Sequence, residues 1–151
     1  MTAAPRPLAQ RMQDARRRLD EDVDAWVATA DRASTPYLVP LSFLWDGETL
    51  LISTAAGNPT ARNLRAGGRV RLTIGSTRDV VLIEGSALVA DGITDEVADA
   101  FADAFATKTG FDPRKQRNYP YFRIRPKLIQ AWREVNEIAG RDLMVDGEWL
   151  T

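Results

Sequence analysis

The chain contains no cysteine and no histidine among its 151 residues. Disulfides, zinc sites with thiolate or imidazole ligands, cysteine or serine–histidine catalysis and histidine-ligated haem are therefore excluded. No spacing of Asp and Glu resembles a carboxylate metal site, so we expect no metal. If the protein catalyses a demanding reaction, we expect an organic cofactor to supply the chemistry.

The sequence also lacks a long apolar run and a strong charge of either sign. No stretch approaches the ~20 apolar residues of a membrane helix, and the first residues do not resemble a signal peptide. The net charge is -1 and the pI is about 5.5, so no overall basic field attracts nucleic acid or a membrane. We expect a cytoplasmic protein with a small-molecule substrate and with neither a nucleic-acid nor a membrane partner.

The length is typical of a single domain. Residues 1–23 are expected to form an N-terminal helix, since Arg6–Leu19 has apolar residues at helical spacing. From residue 24 to residue 151 the pattern becomes that of strands. Asp46-Gly47 predicts a hairpin between Tyr37–Trp45 and Thr49–Thr54, and Arg69–Ser76 alternates between apolar and polar residues.

The remaining strands are bounded by similar turn signals at Thr77-Arg78, Asp91-Gly92 and Asp146-Gly147, and Gly67-Gly68 is expected to end the helix before Arg69. These strands are predicted at Ala25–Ala30, Asp79–Ala90, Tyr121–Arg125, Leu128–Glu134, Asp142–Val145 and Glu148–Leu150. Pro126 predicts a bulge or an edge position. Helices are predicted from Pro59 to Arg65, with Asn58 as the cap, and over Asp95–Lys108, with Thr94 as the cap. The fold class is mainly β: six or seven antiparallel strands in a closed or nearly closed barrel, with two or three flanking helices.

One segment has a pattern that suits an anion. The strand ending at Ser53-Thr54 is followed by a small loop, and a helix opens at Asn58-Pro59-Thr60 with Arg62 in its first turns. A helix N-terminus presents unpaired N–H groups, to which hydroxyls and an arginine add further donors. Alone this pattern is weak, because most such loops only cap a helix.

The order of four segments carries a family resemblance. These segments are "PYLVPLSFLWDGETLLIST", "NPTARNLRAGGRVRLTIG", "RDVVLIEGSALV" and "YFRIRPKLIQAWRE". Together they resemble the pyridoxamine 5′-phosphate oxidase-like split-barrel superfamily, and more narrowly its flavin/deazaflavin oxidoreductase branch. "ARNLRAGGRVRL" is the most specific piece, and the likeness covers Asp24 to Leu150. It implies a split β-barrel over residues 24–151, with Tyr37–Gly85 holding a cofactor.

The resemblance also implies a set of site residues. The strand with Val39, Pro40, Leu41 and Ser42 would lie against the flavin ring, and Ser53 and Thr54 would reach the ribityl chain and phosphate. Arg62 would bind the phosphate, supported by Thr60 and Asn63. Arg78, Asp79 and Val80 would approach the ring edge. Trp132, with Arg133 beside it, matches a position that the partner chain supplies, which implies a homodimer with cofactor sites at the interface.

Several of these residues have structural alternatives. Val39 and Leu41 also suit barrel core, Arg62 suits a solvated helix face, Asp79 suits a turn or an ion pair with Arg78, and Trp132 suits packing. The basic residues Arg114, Lys115 and Arg117 suit the anionic tail of a long cofactor, nucleic acid or no ligand.

Two cofactors fit the resemblance: FMN and the deazaflavin coenzyme F-420. The arginine-rich composition and the basic residues near Arg114 favour F-420, and hence hydride transfer between the cofactor and a small unsaturated or carbonyl substrate. No catalytic acid is assigned beyond water, Tyr119 or Tyr121. The alternatives are an FMN-binding oxidoreductase and a non-enzymatic carrier of a flavin, deazaflavin or tetrapyrrole. True pyridoxamine phosphate oxidases grip their substrate phosphate with an Arg and a His, so a chain without histidine is not expected to be one.

Overall fold

The computed structural model describes residues 3–90 and 96–151, except for the side chains of residues 89, 90 and 96–98. Its helices are α1 (Leu8–Glu21), α2 (Pro59–Gly67) and α3 (Glu96–Thr109). Its strands are β1 (Asp24–Ala30), β2 (Pro36–Ser42), β3 (Leu44–Trp45), β4 (Leu50–Ser53), β5 (Arg69–Ser76), β6 (Asp79–Ala90), β7 (Tyr121–Trp132), β8 (Asp142–Val145) and β9 (Glu148–Trp149). Short 3-10 turns cover Pro113–Lys115 and Val135–Glu137. Within these described residues, no helix is both long and apolar enough to cross a membrane.

The strands form one curled antiparallel sheet in the order β2-β1-β5-β6-β7-β4-β3. The strands at the two ends of this order, β2 and β3, are separated in the chain by Phe43 alone. Since β2 pairs with β1 and β3 pairs with β4, the continuous chain bends the sheet back on itself. The predicted mainly-β fold is confirmed: the described strands form a curled antiparallel half-barrel of seven strands with three helices, and the β8–β9 hairpin extends it beside β7.

Alternation along the strands separates a core face from an outer face. Val70, Leu72 and Ile74 of β5 are buried, while Arg69 and Arg71 are exposed. On the outer face, Trp26 lies between Pro40 and Thr73 in the strand register, and Thr73 pairs in turn with Leu82. Paired residues share a face of the sheet, so these four side chains form one row across four strands.

The structure corrects the prediction of two strands on either side of Pro126. One continuous strand, β7, runs through the proline, and a bulge interrupts its register with β6 next to Gly85. On the other side of β7, the pairing with β4 ends at Ile124 and the pairing with β8 begins at Ile129. The proline lies between these two pairings, where no strand on that side requires a backbone N–H donor from β7.

The helix ends differ in detail from the predicted caps. Asn58 precedes α2 as expected, but its side chain makes no capping hydrogen bond to the helix backbone. Its Nδ2 donates instead to Oγ1 of Thr54 at 2.9 Å. Gly68 ends α2 in the left-handed conformation, with φ of 71°, as the Gly-Gly signal predicted. The predicted turn at Asp91-Gly92 and the cap at Thr94 lie outside the described residues.

Buried polar contacts attach α1 to the C-terminal part of the barrel. The guanidinium of Arg11 is buried and its Nη1 donates to the carbonyl oxygens of Glu137 at 2.8 Å and Gly140 at 3.0 Å. Arg6, just before the helix, pairs with Glu137 at 2.7 Å and with Asp14 at 3.1 Å. These contacts make the N-terminal helix part of the barrel's packed structure.

Candidate functional site

An open groove of about 560 Å³ lies between α2 and the beginning of β2. We call it the α2 groove. Its walls are Pro59, Arg62, Asn63 and Ala66 from α2, Pro36 and Tyr37 from β2, and Asp31, Arg32, Ala33 and Thr35 from the turn between β1 and β2. The volume is within the ~300–1,000 Å³ of typical small-molecule sites.

Arg62 is the basic residue that α2 contributes to this groove. Its side chain is exposed and makes no ion pair with any described residue. The nearby Asp31 is occupied by its own turn, since its Oδ1 accepts the backbone N–H groups of Ala33 and Thr35, each at 2.9 Å. The guanidinium of Arg62 is therefore available to an anion.

Ser53 and Thr54 lie at the end of β4, and both are buried. Ser53 Oγ donates to the carbonyl oxygen of Pro120 at 2.9 Å, which commits its only hydrogen. Thr54 Oγ1 accepts from Asn58, so its hydrogen remains free to be donated. Neither residue lines the α2 groove. The chain links this pair to Arg62 only through Asn58 and the first turn of α2.

Thr60 and Asn63 differ in how well their polar atoms are satisfied. Thr60 is 1% exposed, and its Oγ1 has no hydrogen-bond partner within the described residues. Asn63 lines the groove, and its Nδ2 donates to Thr29 Oγ1 at 3.1 Å, which fixes the amide against β1. A buried hydroxyl without a partner carries a desolvation cost of ~1–3 kcal/mol, which a bound ligand or a water could relieve.

The predicted ring-contact strand divides between the two faces of the sheet. Val39 and Leu41 are half-buried and pack against the core. Pro40 and Ser42 alternate to the outer face, where Ser42 Oγ donates to Asp24 Oδ1 at 2.7 Å. Groove contacts from β2 come instead from Pro36 and Tyr37.

Arg78, Asp79, Val80 and Trp132 are brought together at another end of the sheet. Val80 of β6 pairs directly with Trp132 of β7. Arg78 pairs with Glu134 at 3.0 Å, and the Asp79 carboxylate contacts Arg18 at 2.9 Å and Arg133 at 3.5 Å.

The predicted residues thus form two separate groups in a single chain. Ser53 pairs with Tyr121 at one end of β7, whereas Val80 pairs with Trp132 at the other end. At about 3.3 Å a residue, those two positions are on the order of 35 Å apart along the strand. One chain by itself does not place all of the predicted residues around one ligand.

Sequence reasoning missed Arg32 and Tyr37 as groove residues. Arg32 is in the turn after β1 and Tyr37 follows Pro36, and no spacing in the sequence connects either of them with Arg62. Both reach the groove because β1 and β2 pair and α2 packs over their ends.

In the basic cluster of Arg114, Lys115 and Arg117, Arg114 has its own counter-ions, whereas the other two make no ion pair with a described residue. Arg114 pairs with Asp103 at 2.8 Å and with Asp112 at 2.9 Å, and the side-chain hydrogen bonds that it donates to Asp112 raise the pKa of the arginine. Tyr119 packs edge-on against Phe111. Tyr121 is buried against Phe105, and this burial raises the pKa of its phenol.

The family model for pyridoxamine 5′-phosphate oxidase matches residues 12–133. The chain belongs to the pyridoxamine 5′-phosphate oxidase family. No curated protein matches the chain.

Solved structures related to this family member share its fold at low sequence identity. A FAD-binding protein from Mesorhizobium loti is 19% identical with a TM-score of 0.64, over 79% of this chain and 91% of that one. An F420 reductase is 21% identical with a TM-score of 0.58, over 74% of this chain and 91% of that one. The heme storage protein HutZ from Vibrio cholerae is 15% identical with a TM-score of 0.62, over 81% and 92%.

Three features of this family member fit a ligand that carries a phosphate. Arg62 has no carboxylate partner among the described residues, Thr60 has a buried oxygen without a hydrogen bond, and the groove beside them has the volume of a small-molecule site. Thr60 does not itself line the groove, but it is in the first turn of α2 between the lining residues Pro59 and Arg62. Lys108 and Tyr121, the other described residues with an unpartnered buried polar atom, are on α3 and β7.

Proposed function

We propose that this protein is a deazaflavin-dependent oxidoreductase that uses coenzyme F-420 and transfers a hydride to or from a small unsaturated or carbonyl substrate. The observation that carries the proposal is Arg62, a guanidinium on a groove wall without a counter-ion among the described residues. The phosphate of the cofactor is the anion we assign to it. The shared fold with an F420 reductase is consistent with this choice.

Under this proposal the cofactor, when bound, supplies the hydride chemistry. The chain itself binds and orients the cofactor and the substrate, and it excludes water from the site. Arg62 and Asn63 hold the phosphate end at α2, and Thr54 has a hydroxyl hydrogen free to be donated nearby. Tyr121 keeps its proton at neutral pH, but its Oη is enclosed. We therefore assign protonation of the product to water.

A second candidate is a carrier that binds a flavin, deazaflavin or tetrapyrrole without catalysis. The α2 groove favours it in one respect, because its only carboxylate, Asp31, is committed to turn hydrogen bonds. Apart from the phenol of Tyr37, no described residue of the groove wall is an evident general acid or base. Oxidation of a bound reduced cofactor on addition of enones or quinones would identify the enzyme, and an unchanged spectrum would identify the carrier.

We further propose a homodimer with the cofactor sites at the interface. The outer face of the sheet exposes large apolar side chains, with Trp26 at 52% and Leu38 at 60% exposure. Val80 and Trp132 lie on the same face. They are at the opposite end of β7 from Ser53 and the other residues expected to contact the phosphate. A partner packed on this face would bring its own Trp132 towards the first chain's site. It would also cover an apolar surface that is unfavourable in water.

Replacing Trp26 with glutamate is expected to yield a monomer, because a charge in the centre of the outer face cannot be buried cheaply. Size-exclusion chromatography with light scattering measures the mass directly. Val135→Glu provides the control, since Val135 is 83% exposed and lies outside the sheet. A wild-type protein that is monomeric at ~100 μM would contradict the proposed homodimer. A Trp26→Glu protein that dimerises as tightly as the wild-type one would contradict its proposed interface.

Replacing Arg62 with alanine is expected to weaken the binding of F-420 by about 1.5–3 kcal/mol, the scale of a charge-assisted hydrogen bond. Titration followed by the absorption or fluorescence of the cofactor measures the dissociation constant. FMN is titrated in parallel, so that the tighter ligand identifies the cofactor.

Arg65→Ala is the matched control for Arg62. It removes the same charge from the same helix, and Arg65 lines neither groove described in this chain. Binding of neither cofactor by the wild-type protein would overturn the proposed function. An unchanged affinity of the Arg62 variant would place the phosphate elsewhere.

A further inference from the structure

A second groove, of about 470 Å³, continues from the α2 groove onto the sheet. We call it the strand groove. Its floor comes from β1, β5 and β6, including Arg69, Arg71 and Glu84. The two grooves share Asp31, Arg32, Asn63 and Ala66, so they adjoin along that line of residues. A ligand long enough to pass Asn63 would occupy both.

The strand groove carries an excess of positive charge. Arg71 is neutralised by Glu84 at 2.9 Å, and these two residues are cross-strand neighbours. Arg32 and Arg69 line the groove, are exposed and form no ion pair with a described residue. Asp31, the other acidic residue of the lining, is held by its turn. The described lining has three arginines against two carboxylates, and this excess of one positive charge on a protein with a net charge of -1 indicates a local site for an anion.

We propose that Arg32 and Arg69 bind a second anionic group of the ligand whose first phosphate is at Arg62. This inference rests on the proposed function, and it narrows the ligand to one with an anionic extension beyond that phosphate. Diphosphate and carboxylate extensions both have the required chemistry. FMN, which ends at its single phosphate, would leave the strand groove empty.

This placement replaces the one expected near Arg114. Arg114 is satisfied by two carboxylates, and neither it nor Lys115 nor Arg117 lines either groove. Arg32, by contrast, is in both grooves, between Arg62 on one side and Arg69 on the other. The three arginines thus line the two adjoining grooves, from the proposed phosphate site to the sheet.

The test measures dissociation constants of FMN, FAD and glutamate-tailed F-420 for the wild-type protein and for three variants. FAD tests a diphosphate extension and F-420 tests a carboxylate one. Arg69→Gln is expected to weaken whichever extended ligand binds on the order of tenfold, the effect of one lost charge-assisted contact. It should change the affinity for FMN less than twofold. Arg62→Gln should weaken all three ligands.

Arg125→Gln is the control for charge alone, because Arg125 is exposed on β7 and lines neither groove. Two results overturn the inference and leave the proposed function standing: an Arg69→Gln protein that binds the extended ligand normally, or one that loses FMN equally. A wild-type protein that binds FMN alone overturns both the inference and the choice of F-420 as the cofactor. A wild-type protein that binds none of the three ligands overturns both the inference and the proposed function. Thermal unfolding of each variant confirms that it is folded.

Discussion

Replacing Glu137 with glutamine is expected to lower the free energy of unfolding at pH 7 by about 3 kcal/mol, the cost of breaking a buried ion pair on one side. Glu137 is 2% exposed. Its Oε2 accepts from Arg6 N at 2.8 Å and from Arg6 Nε at 3.0 Å, and its Oε1 accepts from Arg6 Nη2 at 2.7 Å. Oε1 also accepts the backbone N–H of Arg133 at 2.8 Å. A glutamine would turn an NH₂ group towards two of these donors and leave the arginine without most of its counter-charge.

The same contacts predict how the loss depends on pH. The hydrogen bond from Arg6 is the largest cause that lowers the pKa of Glu137 from 4.5 to about 2. Because the folded-state pKa is lower than the unfolded one, the carboxylate stabilises the fold fully above about pH 4.5. That contribution disappears as the pH falls towards 2, and a shift of this size corresponds to about 3 kcal/mol. The difference between the wild-type and Glu137→Gln proteins should therefore shrink steadily below pH 4.5.

Urea unfolding of both proteins at several values between pH 3 and pH 7 measures this difference. Other carboxylates titrate in the same range, but they are common to both proteins and cancel. Glu148→Gln serves as the control, because Glu148 is exposed on β9, and we expect a change below about 0.5 kcal/mol. A difference of less than 1 kcal/mol at pH 7, or one independent of pH, would show that the ion pair does not hold α1 to the barrel.

Local patterns predicted the regular strands well. The bounds of β5 and β6 agree with the prediction. Gly67-Gly68 precedes the clean alternation of β5, and the turn at Thr77-Arg78 separates β5 from β6. The hairpins at Asp46-Gly47 and Asp146-Gly147 were also predictable, since the residues of such turns are dictated within the turn itself. The fold class follows from the number and spacing of these segments.

Non-local contacts could not be predicted in the same way. Pro126 reads as a break in the sequence, and only the pairing of β7 with three other strands shows that the strand continues. Arg6 and Glu137 are 131 residues apart, and nothing local in either segment specifies the other. For the site, the sequence alone revealed the anion-binding motif that contains Arg62. Arg32 and Arg69 join it only because β1 and β5 are neighbours in the sheet.

Gly85 is the residue that allows β6 and β7 to bulge beside Pro126. A Cβ at this position would collide with the carbonyl oxygen of Arg125, and would lie 3.0 Å from its carbonyl carbon and 3.2 Å from Ile124 Cγ2. The two nearest of these atoms belong to the backbone, and the strand that contains them is paired on both sides of the bulge. A single methyl group therefore cannot be accommodated by the rotation of a side chain.

Replacing Gly85 with alanine is expected to lower the free energy of unfolding by about 3 kcal/mol, the upper part of the range for overpacking a close-packed site. Chemical unfolding measures the loss. Gly57→Ala is the matched control, because a Cβ there has nothing within 4 Å, and we expect a change below about 0.5 kcal/mol. A Gly85→Ala protein as stable as the control would mean that the two strands separate easily at the bulge.

The same substitution connects the bulge with the grooves. Gly85 and Glu84 both line the strand groove, and Glu84 is the partner of Arg71 there. Strands forced apart at Gly85 would displace its partner Val70 on β5 and with it the neighbouring Arg69, while α2 and Arg62 are held by other contacts. In protein that remains folded, Gly85→Ala should therefore weaken an extended ligand by a larger factor than FMN. Equal weakening of both ligands would mean that the bulge supports the barrel as a whole and not the strand groove in particular.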